Sequence, residues 1–179
     1  MEGVPWLVSR LIDNAQHSKG GESAMAGKIE ARLKELGIEL PEAAAPAANY
    51  VPYVVSGNMV FVAGQITLLN GELKFLGKVG QELSVEEGQA AARLCALNIA
   101  AQLRAACGGD LDRVKRIVRL GGFVNSGPDF TQQPEVINGA SNTIVEIFGE
   151  AGKHARAAVS AASLPRNVAV EVEAIAEIE

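Results

Sequence analysis

One arginine among small apolar residues, followed fifteen positions later by a pair of glutamates, is the part of this chain whose residue types could do chemistry. Arg156 lies in Ala155-Arg156-Ala157-Ala158-Val159, and the carboxylates lie in Val170-Glu171-Val172-Glu173-Ala174. A guanidinium pairs with planar anions through a fork of N–H donors, and a glutamate within reach of a water can take its proton. Leu164-Pro165-Arg166-Asn167 separates two runs dense in Ala and Val, so residues 154–179 read as strand, turn, strand. Alternation along the first strand puts Arg156, Ala158, Ser160, Ala162 and Leu164 on one face. In the second, Val168, Val170, Val172, Ala174, Ala176 and Ile178 form an apolar face, with Glu171, Glu173, Glu177 and Glu179 pointing the other way. The plain alternative for Arg156 is a surface ion pair, and for Glu173 a solvated charge. The two alternatives weigh evenly for Glu171.

Composition narrows the classes of function. The chain has 179 residues, 48% of them hydrophobic and 21% charged, enough for one domain with a real core. A formal charge of −5 and an aromatic fraction of 4% argue against a surface built for phosphate neutralisation or base stacking. No nucleic-acid partner is expected. No apolar run approaches the roughly 20 residues that cross a bilayer, so no membrane association is expected either. Cys95 and Cys107, twelve positions apart in one predicted helix, would sit about 18 Å from each other, beyond disulfide reach. Neither has a second Cys or a His at metal-ligand spacing, and His17 and His154 are the two histidines of the chain. No metal or cofactor is expected, and two inert thiols suit a reducing cytoplasm.

Other elements must position the arginine and the glutamates. Residues 1–24 read as an N-terminal extension: a short stripe of Val4, Leu7, Val8, Leu11 and Ile12, then the linker-like Lys19-Gly20-Gly21-Glu22-Ser23. Met25 is a candidate functional start, and the extension is expected to be dispensable for assembly. Residues 25–48 hold a helix with Ile29, Leu33 and Leu36 on its apolar stripe, ended by Gly37, and a connector. Residues 49–179 form the principal domain. Gly57-Asn58 between two β-rich runs predicts a tight hairpin, Pro52 confines its strand to an edge, and Gly64 marks a bulge or a close approach. Asn70-Gly71 predicts a second, smaller hairpin. Ser84-Val85-Glu86-Glu87 is a capping box that opens a helix to about Ala106. A strand over 114–125 follows, with a bulge expected at Gly121-Gly122, then a turn-rich loop over 125–134 and a helix over 135–148. The order predicts an α+β fold, a mixed or largely antiparallel sheet with two helices on one face. Two helices cover one face only, and the closing strands are apolar on both. A symmetric oligomer would cover the other.

Several of these segments match a known pattern. Ser56-Gly57-Asn58-Met59-Val60-Phe61-Val62-Ala63-Gly64-Gln65, Ala155-Arg156-Ala157-Ala158-Val159, Leu164-Pro165 and Val170-Glu171-Val172-Glu173-Ala174 together resemble the RidA/YjgF family, whose members also carry the names endoribonuclease L-PSP and translation initiation inhibitor. The likeness covers about residues 50–179, and the 125–134 loop with Ile137-Asn138-Gly139-Ala140-Ser141-Asn142 resembles a chorismate-mutase-like subgroup. The resemblance implies a chorismate-mutase-like fold and a homotrimer with clefts between subunits. It also implies hydrolysis of reactive enamines and imines, such as 2-iminobutanoate and 2-aminoacrylate, to 2-keto acids and ammonia. Carried over residue by residue, it makes Arg156 the carboxylate-binding group and Glu171 the acid–base residue. Gly64, Tyr50 and Asn142 line the pocket in this reading, with Asn138 the alternative to Asn142.

The chain departs from the deaminase pattern at Ala63 and Ala158, where the family commonly has a Ser and a Cys. Neither alanine can hydrogen-bond through its side chain. Two function classes therefore stay open, an imine/enamine deaminase and a trimer that binds or senses a small carboxylate without turnover. A ribonuclease finds less support in the acidic charge, and a chorismate mutase would need more cations to hold two carboxylates and an ether oxygen.

Overall fold

The computed structural model describes residues 27–44 and 49–179. The expectations for residues 1–24 lie outside the described residues, as does the stretch 45–48 of the connector. The chain divides into two units between Glu39 and Leu40. The first contains α1, Lys28–Glu35, which ends where Gly37 takes a left-handed φ of 63°.

The second unit carries the sheet and the other helices. In chain order these are β1 (Tyr53–Ser56), β2 (Met59–Ile66), β3 (Leu68–Leu69), β4 (Glu72–Leu73), α2 (Val85–Ala106), β5 (Val114–Asn125), α3 (Gln133–Phe148), β6 (Ala155–Ala161) and β7 (Val170–Ile178). The main sheet runs β1-β2-β7-β5-β6, with β5 and β6 parallel and the remaining pairs antiparallel. β3 and β4 form the small hairpin expected at Asn70-Gly71. The fold is α+β with a mixed sheet, of the chorismate-mutase-like type. The turn after β6 does not join neighbours. β7 enters the middle of the sheet between β2 and β5, and β6 becomes an edge.

Local sequence explains the elements. Ser84 Oγ accepts from the Glu87 N–H at 3.1 Å and Glu87 Oε2 accepts from the Ser84 N–H at 2.8 Å, so the capping box starts α2 as written in the sequence. α2 and α3 lie against one face of the sheet, where Val170, Val172, Ala174, Ala176 and Ile178 of β7 are buried with Val60, Leu120 and Val124. Small residues let the layers approach: a Cβ on Gly139 of α3 would sit 2.0 Å from the Gln89 carbonyl oxygen of α2. Arg93 of α2 then bridges to Thr143 and Glu146 of α3 at 3.1 and 3.0 Å.

The bulge expected at Gly121-Gly122 is not there. Both residues pair regularly, and the irregularities in β5 fall between Val114 and Arg116 and between Ile117 and Arg119. The glycines serve the two faces instead. A Cβ on Gly122 would lie 2.6–2.8 Å from three carbons of Ile137, and one on Gly121 would lie 2.6 Å from Glu173 Oε1. Gly122→Val should therefore overpack the contact between β5 and α3 and cost about 1–3 kcal/mol. Chemical denaturation should show a lower midpoint with the same slope, and an unchanged midpoint would refute the close-packing role of Gly122.

Candidate functional site

The side chains of β6 and β7 that could do chemistry stand on opposite faces of the sheet. Arg156 pairs with Leu120, and Leu120 with Ala174, so all three point toward the helices. Glu171 pairs with Phe123, and Phe123 with Val159, on the open face. Tyr50 lies just before β1, at the edge opposite β6, four strand spacings or about 19 Å away. Within one chain, Arg156 is thus parted from Glu171 by the sheet and from Tyr50 by the width of the sheet.

Arg156 is half-buried beside α3. Its Nη1 donates to Asn138 Oδ1 at 2.9 Å and to Ser141 Oγ at 3.1 Å. Asn138 and Ser141 are three residues apart, hence neighbours on one face of the helix. Of the two asparagines considered, Asn138 contacts Arg156, while Asn142 is exposed and has no such bond. Ser141 Oγ is also 3.0 Å from His154 Nε2, and His154 Nδ1 is 2.6 Å from the Gly152 carbonyl oxygen. No carboxylate among the described residues pairs with Arg156. Its bonds go to neutral acceptors through Nη1, leaving the edge formed by Nη2 and Nε open.

The open face carries the other half. β2 bulges between Val62 and Gln65, where Ala63 and Gly64 stand against the single residue Glu173. Gln65 Nε2 donates across the bulge to the Ala63 carbonyl oxygen at 3.0 Å. Glu171 lies flat over Gly64, since a Cβ there would be 1.9 Å from Glu171 Oε1. Glu171 makes no hydrogen bond among the described residues, and its partial burial, reinforced by the Glu173 carboxylate, holds its pKa above the ordinary carboxylate value. Glu173 has a partner instead, Arg119 Nη1 at 2.8 Å. Of the two glutamates, Glu171 is the one left free. Exposed apolar side chains share this face: Val54, Phe61 and Val159 are 51%, 45% and 47% accessible.

Some groups in the neighbourhood are inert. Cys95 is fully buried behind β7, its Sγ 3.5 Å from the Val170 carbonyl oxygen, and burial pushes its thiol pKa far up, with Glu171 adding to the effect. Burial also raises the Cys107 thiol. Among the described residues, no group of three or more His, Cys, Asp or Glu is arranged to hold a metal ion, and no helix is long and apolar enough to cross a membrane.

The sequence and the fold have counterparts in known proteins. A family model described as "YjgF/chorismate_mutase-like, putative endoribonuclease" matches residues 30–178. The chain belongs to this family. It is 53% identical over 154 residues to Protein TCP17 of Trypanosoma cruzi, covering 86% of this chain and 96% of the relative. Among solved structures, Atu1372 of Agrobacterium tumefaciens, a protein of unknown function, is 52% identical with a TM-score of 0.79, over 84% of this chain and 92% of that one. TdcF of E. coli, solved with bound serine, is 28% identical with a TM-score of 0.54, over 78% of this chain and 94% of that one.

Ser141 and His154 went unnoticed in the sequence, although signals for both exist. Ser141 is three residues from Asn138 on a helix, and His154 shares strand parity with Arg156. The raised pKa of Glu171 leads to a stability test. In the window between its unfolded value and its higher folded value, the native state binds more protons than the unfolded chain, so Glu171 makes stability fall as pH rises. Glu171→Gln should be more stable than wild type at pH 7 and lose that advantage below about pH 4, the unperturbed carboxylate range. Parallel denaturation curves from pH 4 to 7.5 would measure this, and equal pH dependence in both proteins would contradict it.

Proposed function

We propose that this protein is a homotrimeric hydrolase of reactive 2-imino and enamine acids, acting in the cytoplasm without a cofactor, with its site completed across the boundary between two subunits. The observation that carries the reading is the separation of the two halves. A half-buried guanidinium with an open donor edge stands on one face, and a half-buried unpaired carboxylate on the other. Each half is unfinished alone, and the apolar side chains that share the face of Glu171 supply surface for a neighbouring subunit. The serine bound to the related TdcF supports a small carboxylate ligand for this family.

In this reading Nη2 and Nε of Arg156 take the substrate carboxylate as a bidentate pair. Glu171 of the adjacent subunit, its basicity raised by partial burial, takes a proton from the water that attacks the imine carbon. That proton passes to the imine nitrogen as the carbinolamine forms; on collapse the carbinolamine hydroxyl gives up its proton, by way of Glu171, to the same nitrogen, the C–N bond breaks, and ammonia leaves a 2-keto acid. Gly64 is required because a side chain there would displace Glu171, and Tyr50 is a candidate wall contributed from a β1 edge. Asn138, the alternative to Asn142, would act by holding Arg156 rather than by binding substrate directly.

A second reading, a trimer that binds a small carboxylate without turnover, draws on Ala63 and Ala158. These supply no side-chain hydrogen bond near the bulge or beside Arg156.

Light scattering should give a trimer at micromolar concentration, and a monomer would end the shared-site reading. Imine hydrolysis, with the imine generated in situ by an amino-acid oxidase, decides the chemistry. Arg156→Ala should weaken 2-oxobutanoate binding about 10- to 100-fold, and Glu171→Gln should slow turnover about 100-fold or more. A wild type no faster than the uncatalysed rate, yet binding 2-oxobutanoate through Arg156, would establish the binding trimer instead.

A further inference from the structure

We infer that Ser141 and His154 are positioning residues for Arg156, forming a directional hydrogen-bond chain that links the protonation of His154 to carboxylate binding at the guanidinium. The inference rests on Arg156 being the anion site. Its direction follows from the donors and acceptors alone. The Gly152 carbonyl oxygen can only accept, so His154 Nδ1, 2.6 Å away, carries a proton. In the neutral ring Nε2 is then a bare acceptor, and the hydroxyl of Ser141, 3.0 Å away, donates to it. Ser141 Oγ is left with lone pairs, one of which accepts from Arg156 Nη1 at 3.1 Å. The chain reads Arg156 to Ser141 to His154 to the Gly152 carbonyl.

Two consequences follow. First, every partner that orients Arg156 is neutral. Asn138 and Ser141 fix the plane of the guanidinium without offsetting its charge, so the Nη2/Nε edge keeps its full attraction for an anion. Second, the chain reverses when His154 gains a proton. Nε2–H then donates to Ser141 Oγ, which has a second lone pair to receive it, and the serine hydroxyl proton is released from the histidine. That proton can turn to a carboxylate held on Arg156, while a positive charge appears one hydroxyl away from the guanidinium. Both changes favour the bound anion, so affinity rises when His154 gains a proton.

The charged groups packed around His154 leave this link intact. On the neighbouring 3-10 turn, Glu150 and Lys153 pair with each other at 2.8 Å. On α3, Glu146 is held by Arg93 of α2 at 3.0 Å. On β5, Arg119 lies opposite Ala155 and is tied to Glu173 at 2.8 Å on the other face of the sheet. Arg156, joined through Ser141, is the remaining charge in the chain of contacts. Glu171 of an adjacent subunit also faces the bound anion in the shared-site reading, and its own protonation would add a response of the same sign. The test subtracts it.

The probe is 2-oxobutanoate, a carboxylate ionised throughout the range used. Calorimetric titration of the full chain at pH 8 and pH 6 would compare wild type with Ser141→Ala, Ser141→Thr, His154→Gln and Arg156→Ala. Glutamine at 154 can still accept from Ser141 but cannot become a cation. Wild type should tighten by about three- to tenfold from pH 8 to pH 6, the size of one added charge near a partly exposed site. His154→Gln should bind like wild type at pH 8 and lose most of that gain. Ser141→Ala should lose the gain and bind about tenfold more weakly at both pH values, and Ser141→Thr should restore both. Nitrogen-15 NMR of unliganded wild type should show the Nδ1–H tautomer of His154 at pH 8. Binding that depends on Arg156 but responds to pH equally in wild type and His154→Gln would overturn the inference and leave the anion site standing, as would the Nε2–H tautomer. Wild-type binding no stronger than that of Arg156→Ala would remove the anion site itself, and the inference with it.

Discussion

An extended strand must send successive side chains to opposite faces, and in this protein that alternation decides where chemistry can occur. β7 sits at the centre of the sheet, so its even-numbered residues have to be small and apolar to lie under α2 and α3. Its odd-numbered residues are thereby committed to the open face, and three of the four, Glu171, Glu173 and Glu177, are glutamates. β6 runs parallel to β5 with Arg156 in register with Leu120, which is a core residue, so Arg156 is committed to the helix side. Shifting either strand by one residue would bring its reactive group to the other face, but would also expose the apolar set that holds the fold together. The separation of guanidinium and carboxylate is thus a consequence of core packing.

The three glutamates share a face and differ in their partners. Glu177 accepts from Asn58 Nδ2 at 3.0 Å and Glu173 from Arg119 at 2.8 Å. Glu171 has neither an amide nor a cation, and it extends over the one position in β2 where a bulge and a glycine make room. Partial desolvation next to a second carboxylate makes its charge costly, which raises its proton affinity. On the helix side Arg156 presents the complementary case, a cation oriented by neutral groups. An unpaired carboxylate is expensive to keep, and a carboxylate perturbed as Glu171 is marks a candidate functional site.

Much of this was legible in the sequence, because the signals were local. The capping box at Ser84, the hairpin at Gly57-Asn58 and the period-two pattern of β7 each depend on a few adjacent residues, and each appears where the pattern put it. The insertion of β7 between β2 and β5 was not legible, since strand order is set by pairings between segments far apart in the chain. The misplaced bulge has the same cause. Gly121-Gly122 looks like a break in a strand, but the glycines answer to Ile137 from one side and Glu173 from the other, which no window on β5 contains. The candidate site was half legible. Arg156, Glu171 and Gly64 stood out by type and motif, whereas the bond from Arg156 to Asn138 and the chain through Ser141 to His154 depend on how α3 rotates over β6.

That rotation bears on the two alanines. Ala158 follows Arg156 on the helix side of β6, and Ala63 lies in the β2 bulge, so both places where the family pattern has a side-chain hydroxyl or thiol are apolar here. The hydroxyl nearest Arg156 comes from the helix instead, at Ser141, and it is backed by an imidazole. In the proposed site, a hydroxyl that shares the guanidinium's Nη1 would lie beside the carboxylate end of the acid, at some remove from its reacting carbon. It can therefore strengthen the grip on the anion, but it cannot replace a group that would hydrogen-bond the imine nitrogen. In the proposed hydrolase, binding would be the better provided for of the two demands, and proton transfer would fall to Glu171. The strength of binding and the rate of turnover should then vary independently in this protein, the first with groups on α3 and β6 and the second with the open face of β7.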